Sequence, residues 1–138
     1  MLSNSITAML TALAQDAHSR VQAETLARFG RALLAAPADA AELLGALAGI
    51  SSGGADEECM SLLLSAALDE ARMARENGQQ QGALFIDALE AHLGQLVSTN
   101  RLTFRGSLAV SGTWVRAGLT PPESLASRQD AFTEALEG

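Results

Sequence analysis

One stretch of the chain repeats apolar residues at the three- and four-residue spacing of an α-helix. Its members share one side of a helix, and they are Met60, Leu63, Leu64, Ala67, Ala71 and Ala74. Three carboxylates, Asp56, Glu57 and Glu58, precede this stripe at the positive end of the helix dipole. The Asn77-Gly78 pair that follows is typical of a left-handed helix end. Because such a stripe must be covered by other elements, it predicts a helix within an α-helical bundle.

The composition agrees with a helical fold. The chain holds 27 alanines and 22 leucines, 49 of its 138 residues, and both types lose little conformational freedom in a helix. Sheet formers are scarce, with four valines, three isoleucines and no tyrosine. The apolar content of 48% excludes a disordered chain, and the single cysteine excludes a disulfide scaffold. We therefore predict one all-α domain over residues 1–138, a compact bundle of about six or seven short helices.

Local signals place the other helices. A phase slip in the apolar spacing separates two helices at about 4–17 and 20–36, and Ser19 with Gln22 can form the capping box of the second. Pro37 ends it, and Asp39 with Glu42 predicts a capping box for a short third helix.

Two further helices are predicted towards the end of the chain. An apolar stripe that begins at Leu84 runs to about Thr99. The Thr-Pro-Pro-Glu sequence of residues 120–123 predicts the start of a last helix, with threonine at the cap and proline in the first helical position. Its inward residues would be Leu125, Phe132 and Leu136.

Residues 101–117 fit two structures. As a helix, the segment would carry one apolar stripe, formed by Phe104, Leu108, Val115 and Leu119. As a β-hairpin, it would turn at Gly106-Ser107 between two short alternating strands. The helix is favoured, because an isolated hairpin is marginal without further strands.

The charges are unevenly distributed along the chain. The net charge of −7 disfavours nucleic-acid binding, which rests on neutralising phosphates with basic residues. Residues 37–90 carry ten acids against two arginines, which sum to −8. Residues 91–122 carry three arginines and no acid at all. This acid-free stretch is the main electrostatic anomaly of the sequence.

The three arginines of that stretch are the best candidates for a binding site. On a single helix, Arg101, Arg105 and Arg116 would fall within about 60° of one another, beside Phe104 and Trp114. These five residues could bind an acidic partner helix or an anionic ligand through charge-assisted hydrogen bonds. Alternatively, the arginines pair with the acidic residues 37–90 of the same chain. We expect the internal role for Arg101 and Arg105 and the exposed role for Arg116.

No catalytic, metal or cofactor site is predicted. A helical di-iron site needs glutamate three residues before histidine, and Gln15 and Leu89 stand at those positions before His18 and His92. Cys59 lies near a helix start but follows three carboxylates, so the effects on its pKa oppose each other, and we interpret it as a structural thiol. Phosphate-loop, dinucleotide, nucleophile-elbow and zinc-protease motifs are absent from the sequence.

Two hypotheses about function remain. The first is a non-catalytic protein-interaction module, a small bacterial-type adaptor, regulator or assembly component with a protein partner that is acidic. We expect it to form a homodimer or another homo-oligomer, because six or seven short helices are not expected to bury all 38 large apolar residues within one chain. The alternative is a pocket near Trp114 and the arginines for a small anionic or amphipathic ligand. A cytoplasmic location is expected, with neither nucleic acid nor membrane as partner.

Overall fold

Six α-helices follow one another in the computed structural model, which describes residues 4–15, 19–51 and 55–125. The helices are α1 (Asn4–Gln15), α2 (Ser19–Leu34), α3 (Pro37–Ala48), α4 (Ala55–Glu76), α5 (Gln80–Ser98) and α6 (Phe104–Arg116). The described part holds no strand, and the helices pack on one another. The predicted all-α bundle is thus confirmed. The hairpin alternative for residues 101–117 is wrong, because α6 occupies most of that segment.

Helix α4 is the centre of the bundle and contacts α1, α2, α3, α5 and α6. All six residues of the stripe predicted for it are buried: Met60, Leu63, Leu64, Ala67, Ala71 and Ala74. The alanines let neighbouring helices approach closely, while the leucines fill the space between them. A helix covered on several sides in this way depends on tertiary packing more than on its intrinsic propensity.

Helix ends follow the sequence signals in some places only. Gly78 takes a positive φ of 79° after α4, as Asn77-Gly78 predicted. The start of α3 differs, since its N-cap is Ala36 with no side-chain cap hydrogen bond. The capping box predicted from Asp39 and Glu42 is therefore wrong. Pro37 suits the first helical turn, because it lacks an N–H that would go unbonded there, and the helix begins three residues earlier than a cap at Asp39 predicts.

The first two helices and the last described residues agree with the sequence predictions in part. The bounds of α1 and α2 agree with the two helices predicted from the phase slip. The side chains of the capping box predicted there, Ser19 and Gln22, lie outside the described part. Leu125 is fully buried as predicted, but helical residues begin only at Glu123, so Thr120 is not the cap. Phe132 and Leu136 lie outside the described residues.

Candidate functional site

A threonine cap fixes the start of α6. The Thr103 hydroxyl accepts a hydrogen bond from the Gly106 N–H at 2.8 Å and donates one to the Ile50 carbonyl at 2.5 Å. The backbone N–H of Thr103 donates to the Ala48 carbonyl at 3.0 Å. Threonine is a favoured N-cap because its side chain satisfies an N–H that the helix itself cannot bond. This residue therefore ties the first turn of α6 to the end of α3.

An arginine of α4 holds the other end of α6. Arg72 Nε donates to the Ala117 carbonyl at 2.9 Å, next to the last residue of the helix. The guanidinium is itself oriented by Asp69, at 2.6 Å from Nη2, and by Glu76, at 2.9 Å from Nη1. Hydrogen bonds to Asp69 and then to Glu76 raise the pKa of Arg72 above its ordinary value. Both ends of α6 are thus attached to neighbouring helices, so its orientation in the bundle is fixed.

The inward side of α6 is built from small, polar and aromatic residues: Gly106, Ser107, Val110, Thr113 and Trp114. Thr113 donates its hydroxyl proton to the Ala109 carbonyl at 2.8 Å, so Ser61 of α4 must donate to Thr113 in the buried contact of 2.7 Å between their hydroxyl oxygens. Trp114 is fully buried, and its Nε1 has no hydrogen-bond partner among the described residues. Close approach and hydrogen bonding, rather than a leucine stripe, hold this helix in place.

The opposite side of α6 carries a row of exposed apolar residues. Phe104, Leu108 and Val115 are 44%, 52% and 61% exposed, which makes them three of the five exposed large hydrophobic residues in the described part of the chain. Their spacing of four and seven residues places them in one line along the helix. The apolar stripe predicted for this segment therefore exists, but it faces away from the bundle. Only Leu119, beyond the helix, packs partly against the core.

Two of the predicted arginines lie beside this row. Arg105 and Arg116 are eleven residues apart, close to three helical turns, so both emerge from the same side of α6. Arg105 forms an ion pair with Glu57 of α4, with 3.1 Å between Nη2 and Oε2. Arg116 is exposed, and within the described ranges no carboxylate oxygen lies within 4.0 Å of its guanidinium. Arg105 therefore pairs with an acid of residues 37–90 and Arg116 is exposed, and the part of either residue in binding stays a prediction.

Arg101 does not join them. It precedes Thr103 in a non-helical connection, where its N–H donates to the Leu96 carbonyl at 2.8 Å. The prediction that three arginines share one helix face is therefore wrong for Arg101, because α6 begins only at Phe104. The expected pairing with residues 37–90 is also not observed for it among the described residues, whose ion pairs do not include Arg101.

A cleft of about 330 Å³ runs along the arginine side of α6. Its walls come from α4 and α6, and they are Glu57, Glu58, Ser61, Leu108, Ala109, Gly112 and Arg116. A Cβ added to Gly112 would meet nothing within 4 Å, so this glycine leaves an open notch next to Leu108. Trp114 does not line this cleft. The prediction that Trp114 forms a pocket wall beside the arginines is wrong here, because its position on α6 points it into the core.

We use the term outer face of α6 for the exposed surface formed by Phe104, Arg105, Leu108, Gly112, Val115 and Arg116. The predicted site residues are thus divided among three places. Phe104, Arg105 and Arg116 lie on the outer face. Trp114 lies in the core. Arg101 borders a separate cleft of about 500 Å³ between α3 and α5, which His92 and Glu42 also line.

Leu108 and Val115 belong to the apolar stripe predicted from the sequence, but of that stripe only Phe104 was predicted as a site residue, and the part of Gly112 in this surface was not predicted. A signal was present in the sequence, because Thr103 is a favoured N-cap residue directly before the apolar stripe, and a helix that begins there does not include Arg101. The described ranges contain no group of three His, Cys, Asp or Glu side chains that could hold a metal ion, and no helix in them combines the length and the apolar character needed to span a membrane.

The comparisons with known proteins give a family. A family model described as "Uncharacterised protein y4lR N-terminal domain" matches residues 3–122. No curated protein and no solved structure matches the chain. The matched range contains all six described helices, including α6 and its outer face. The chain therefore belongs to the family of the y4lR N-terminal domain.

Proposed function

We propose that this domain is a non-catalytic protein-interaction module that contacts its partner through the outer face of α6. The observation that carries the proposal is the row of Phe104, Leu108 and Val115, all exposed on one short helix. A single exposed leucine is ordinary in a folded protein, whereas a line of large apolar side chains rimmed by charge is typical of an interface. Association would remove this apolar surface from water, which is favourable in proportion to its area.

The charges beside the row indicate what kind of surface would fit. Arg116 is exposed and has no ion pair with the described residues, while the stretch 91–122 contains no carboxylate that would repel an acidic partner. A partner surface with apolar residues flanked by a carboxylate could bury the row and pair with Arg116 together. Complementary charge of this kind favours the right orientation and excludes cationic partners.

Comparative co-purification tests the proposal. The tagged protein, a Leu108→Glu variant and a Leu84→Glu variant would be expressed in the organism of origin and isolated under identical conditions. Leu84 is a matched control, because it is 59% exposed and lies on α5 rather than α6. We expect proteins that remain bound to the parent and to Leu84→Glu but are lost from Leu108→Glu. Identical sets of bound proteins from all three, with unchanged circular dichroism, would contradict the proposal.

A second candidate function is the binding of a small anion in the cleft between α3 and α5. Arg101 and His92 line this cleft together with Glu42, and Gly45 leaves room beside the His92 ring. A charge-assisted hydrogen bond from Arg101, with a hydrogen bond from the His92 ring, could hold a carboxylate or phosphate. Inorganic phosphate and simple carboxylates should then raise the melting temperature of the parent but not of an Arg101→Gln variant. Equal melting temperatures with and without these anions would exclude this candidate.

A further inference from the structure

We propose that the outer face of α6 binds the same face of a second copy of the chain, with the two α6 helices antiparallel. This inference rests on the proposed function, since it names the partner of the same surface. Two-fold dimers are the commonest assemblies of soluble proteins, and they require a surface that is complementary to itself. The outer face has that property in both shape and charge.

Shape complementarity comes from Leu108 and Gly112. Leu108 protrudes with 52% of its surface exposed, and one helical turn further the open notch at Gly112 has room for a side chain. When two α6 helices lie antiparallel about a two-fold axis near residue 110, Leu108 of each copy faces Gly112 of the other. Phe104 and Val115 then lie at opposite ends of the contact and extend the buried apolar line. A protruding side chain that enters a hole on the facing helix is the common mode of close helix packing.

Charge complementarity comes from the two ends of the outer face. Arg116 lies at the carboxyl end of α6, whereas the Arg105–Glu57 ion pair marks its amino end. Glu58 follows Glu57 on α4 and is an exposed residue of the cleft between α4 and α6. In the antiparallel pair, the two-fold axis reverses the direction of the second α6 helix. The cleft of each copy nevertheless lies on the same side of the helix pair. Arg116 of one copy is thereby brought towards Glu58 of the second copy.

The antiparallel direction is the one that these charges favour. In a parallel pair, both copies of Arg116 would lie at one end of the contact and both copies of Glu58 at the other, and like charges at one end repel each other. In the antiparallel pair, each end joins opposite charges, and the Arg105 positive charge is already balanced by Glu57 at 3.1 Å. The structure thus points to one orientation.

Sedimentation velocity of the purified protein at high micromolar concentration tests the association. We expect a dimer for the parent and for the control Leu84→Glu, and a monomer for Leu108→Glu. Arg116→Glu and Glu58→Arg should each weaken the dimer at least several-fold, whereas the protein that carries both should recover it. Circular dichroism confirms that each variant is folded. A monomeric parent, or a dimer that survives Leu108→Glu, would overturn the inference.

Disulfide trapping in a Cys59→Ala background tests the orientation. In the antiparallel pair, Leu108 of one copy and Gly112 of the other lie at the same level along the helix axis, whereas the two copies of residue 115 lie about 15 Å apart. A mixture of the Leu108→Cys and Gly112→Cys proteins should therefore form a cross-link between the two, and Val115→Cys should not cross-link to itself, because a disulfide needs closely spaced Cα atoms. Rapid cross-linking of Val115→Cys to itself without a cross-link in the mixture would show a parallel pair and overturn the inference.

These results separate the two proposals. If the purified parent is a monomer but Leu108→Glu still loses bound proteins in co-purification, then the outer face binds a different protein, and only the inference of a second copy fails. If the parent is a monomer and Leu108→Glu keeps every bound protein, both proposals fail.

Discussion

Gly106 of α6 lies directly against the backbone carbonyl of Ala48 in α3, so close that a Cβ on Gly106 would overlap the carbonyl oxygen. The atoms of Ala48 belong to the main chain and cannot turn aside as a flexible side chain can. Gly106→Ala should therefore force α6 away from α3 and lower stability by about 1–3 kcal/mol, the usual cost of overpacking. Urea denaturation measures this difference. A variant as stable as the parent would contradict the close packing of the two helices.

Gly112 provides the matched case on the same helix. A Cβ there meets nothing within 4 Å, so Gly112→Ala introduces no clash. Because glycine is less favourable than alanine inside a helix, the variant should gain about 0.5–1 kcal/mol. The measurement is urea denaturation at a protein concentration low enough for the chain to be monomeric. A loss of stability similar to that of Gly106→Ala would show that both glycines are packed, against the exposure of Gly112.

Arg72→Gln should lower the melting temperature, because it removes the donor to the Ala117 carbonyl and leaves Asp69 and Glu76 without their cation. Arg75→Gln, an exposed change on the same helix, should have little effect. The raised pKa of Arg72 means that its stabilisation is complete below the ordinary arginine pKa and is lost only as the pH rises above it. The difference between parent and variant should thus persist at alkaline pH. A melting temperature that falls as much in Arg75→Gln would refute the specific role of Arg72.

The ion pair between Arg105 and Glu57 can be measured with a double-mutant cycle. The variants are Arg105→Gln, Glu57→Gln and the protein that carries both changes. The side chain of Arg105 is 52% exposed and that of Glu57 is 19% exposed, so water screens much of their attraction. We expect a coupling free energy of about 0–1 kcal/mol that decreases with added salt. A coupling that salt leaves unchanged would indicate a contact of another kind.

Substitutions on the two sides of α6 should differ in how much they lower the free energy of unfolding. Val110 is fully buried, and Val110→Ala should lower the free energy of unfolding by about 2 kcal/mol through lost burial and a cavity. Leu108→Gln and Val115→Thr change exposed residues and should stay within about 0.5 kcal/mol of the monomeric parent. Thermal or urea unfolding at low protein concentration measures these values. If Leu108→Gln costs as much as Val110→Ala, the outer face is covered in solution by the chain itself.

The contrast between α4 and α6 shows what could be predicted from the sequence. In α4 the largest apolar residues face inward, so periodicity alone identified the buried side. In α6 the most apolar line faces outward, while Gly106, Thr113 and Trp114 form the buried side. Their partners, Ala48 and Ser61, belong to other helices, and no local pattern reveals such contacts.

The candidate site was accordingly predicted only in part. The acid-free stretch led to Arg105, Arg116 and Phe104, which share the outer face. Arg101 was misplaced, because Thr103 is the N-cap and the helix begins at Phe104, three residues beyond Arg101. Trp114 was misplaced because its burial depends on the orientation of α6, which is set by contacts at Ala48 and Arg72 that are distant in sequence.

Site-specific photo-cross-linking in the organism of origin is the most direct test of the interaction surface. A photoreactive amino acid would replace Val115 on the outer face of α6 or, as a control of similar exposure, Leu84 on α5. The account predicts covalent adducts to another protein chain, a second copy included, from position 115 and none from position 84. Adducts from position 84 alone, or none from position 115 in a folded and expressed protein, would contradict the assignment of this surface.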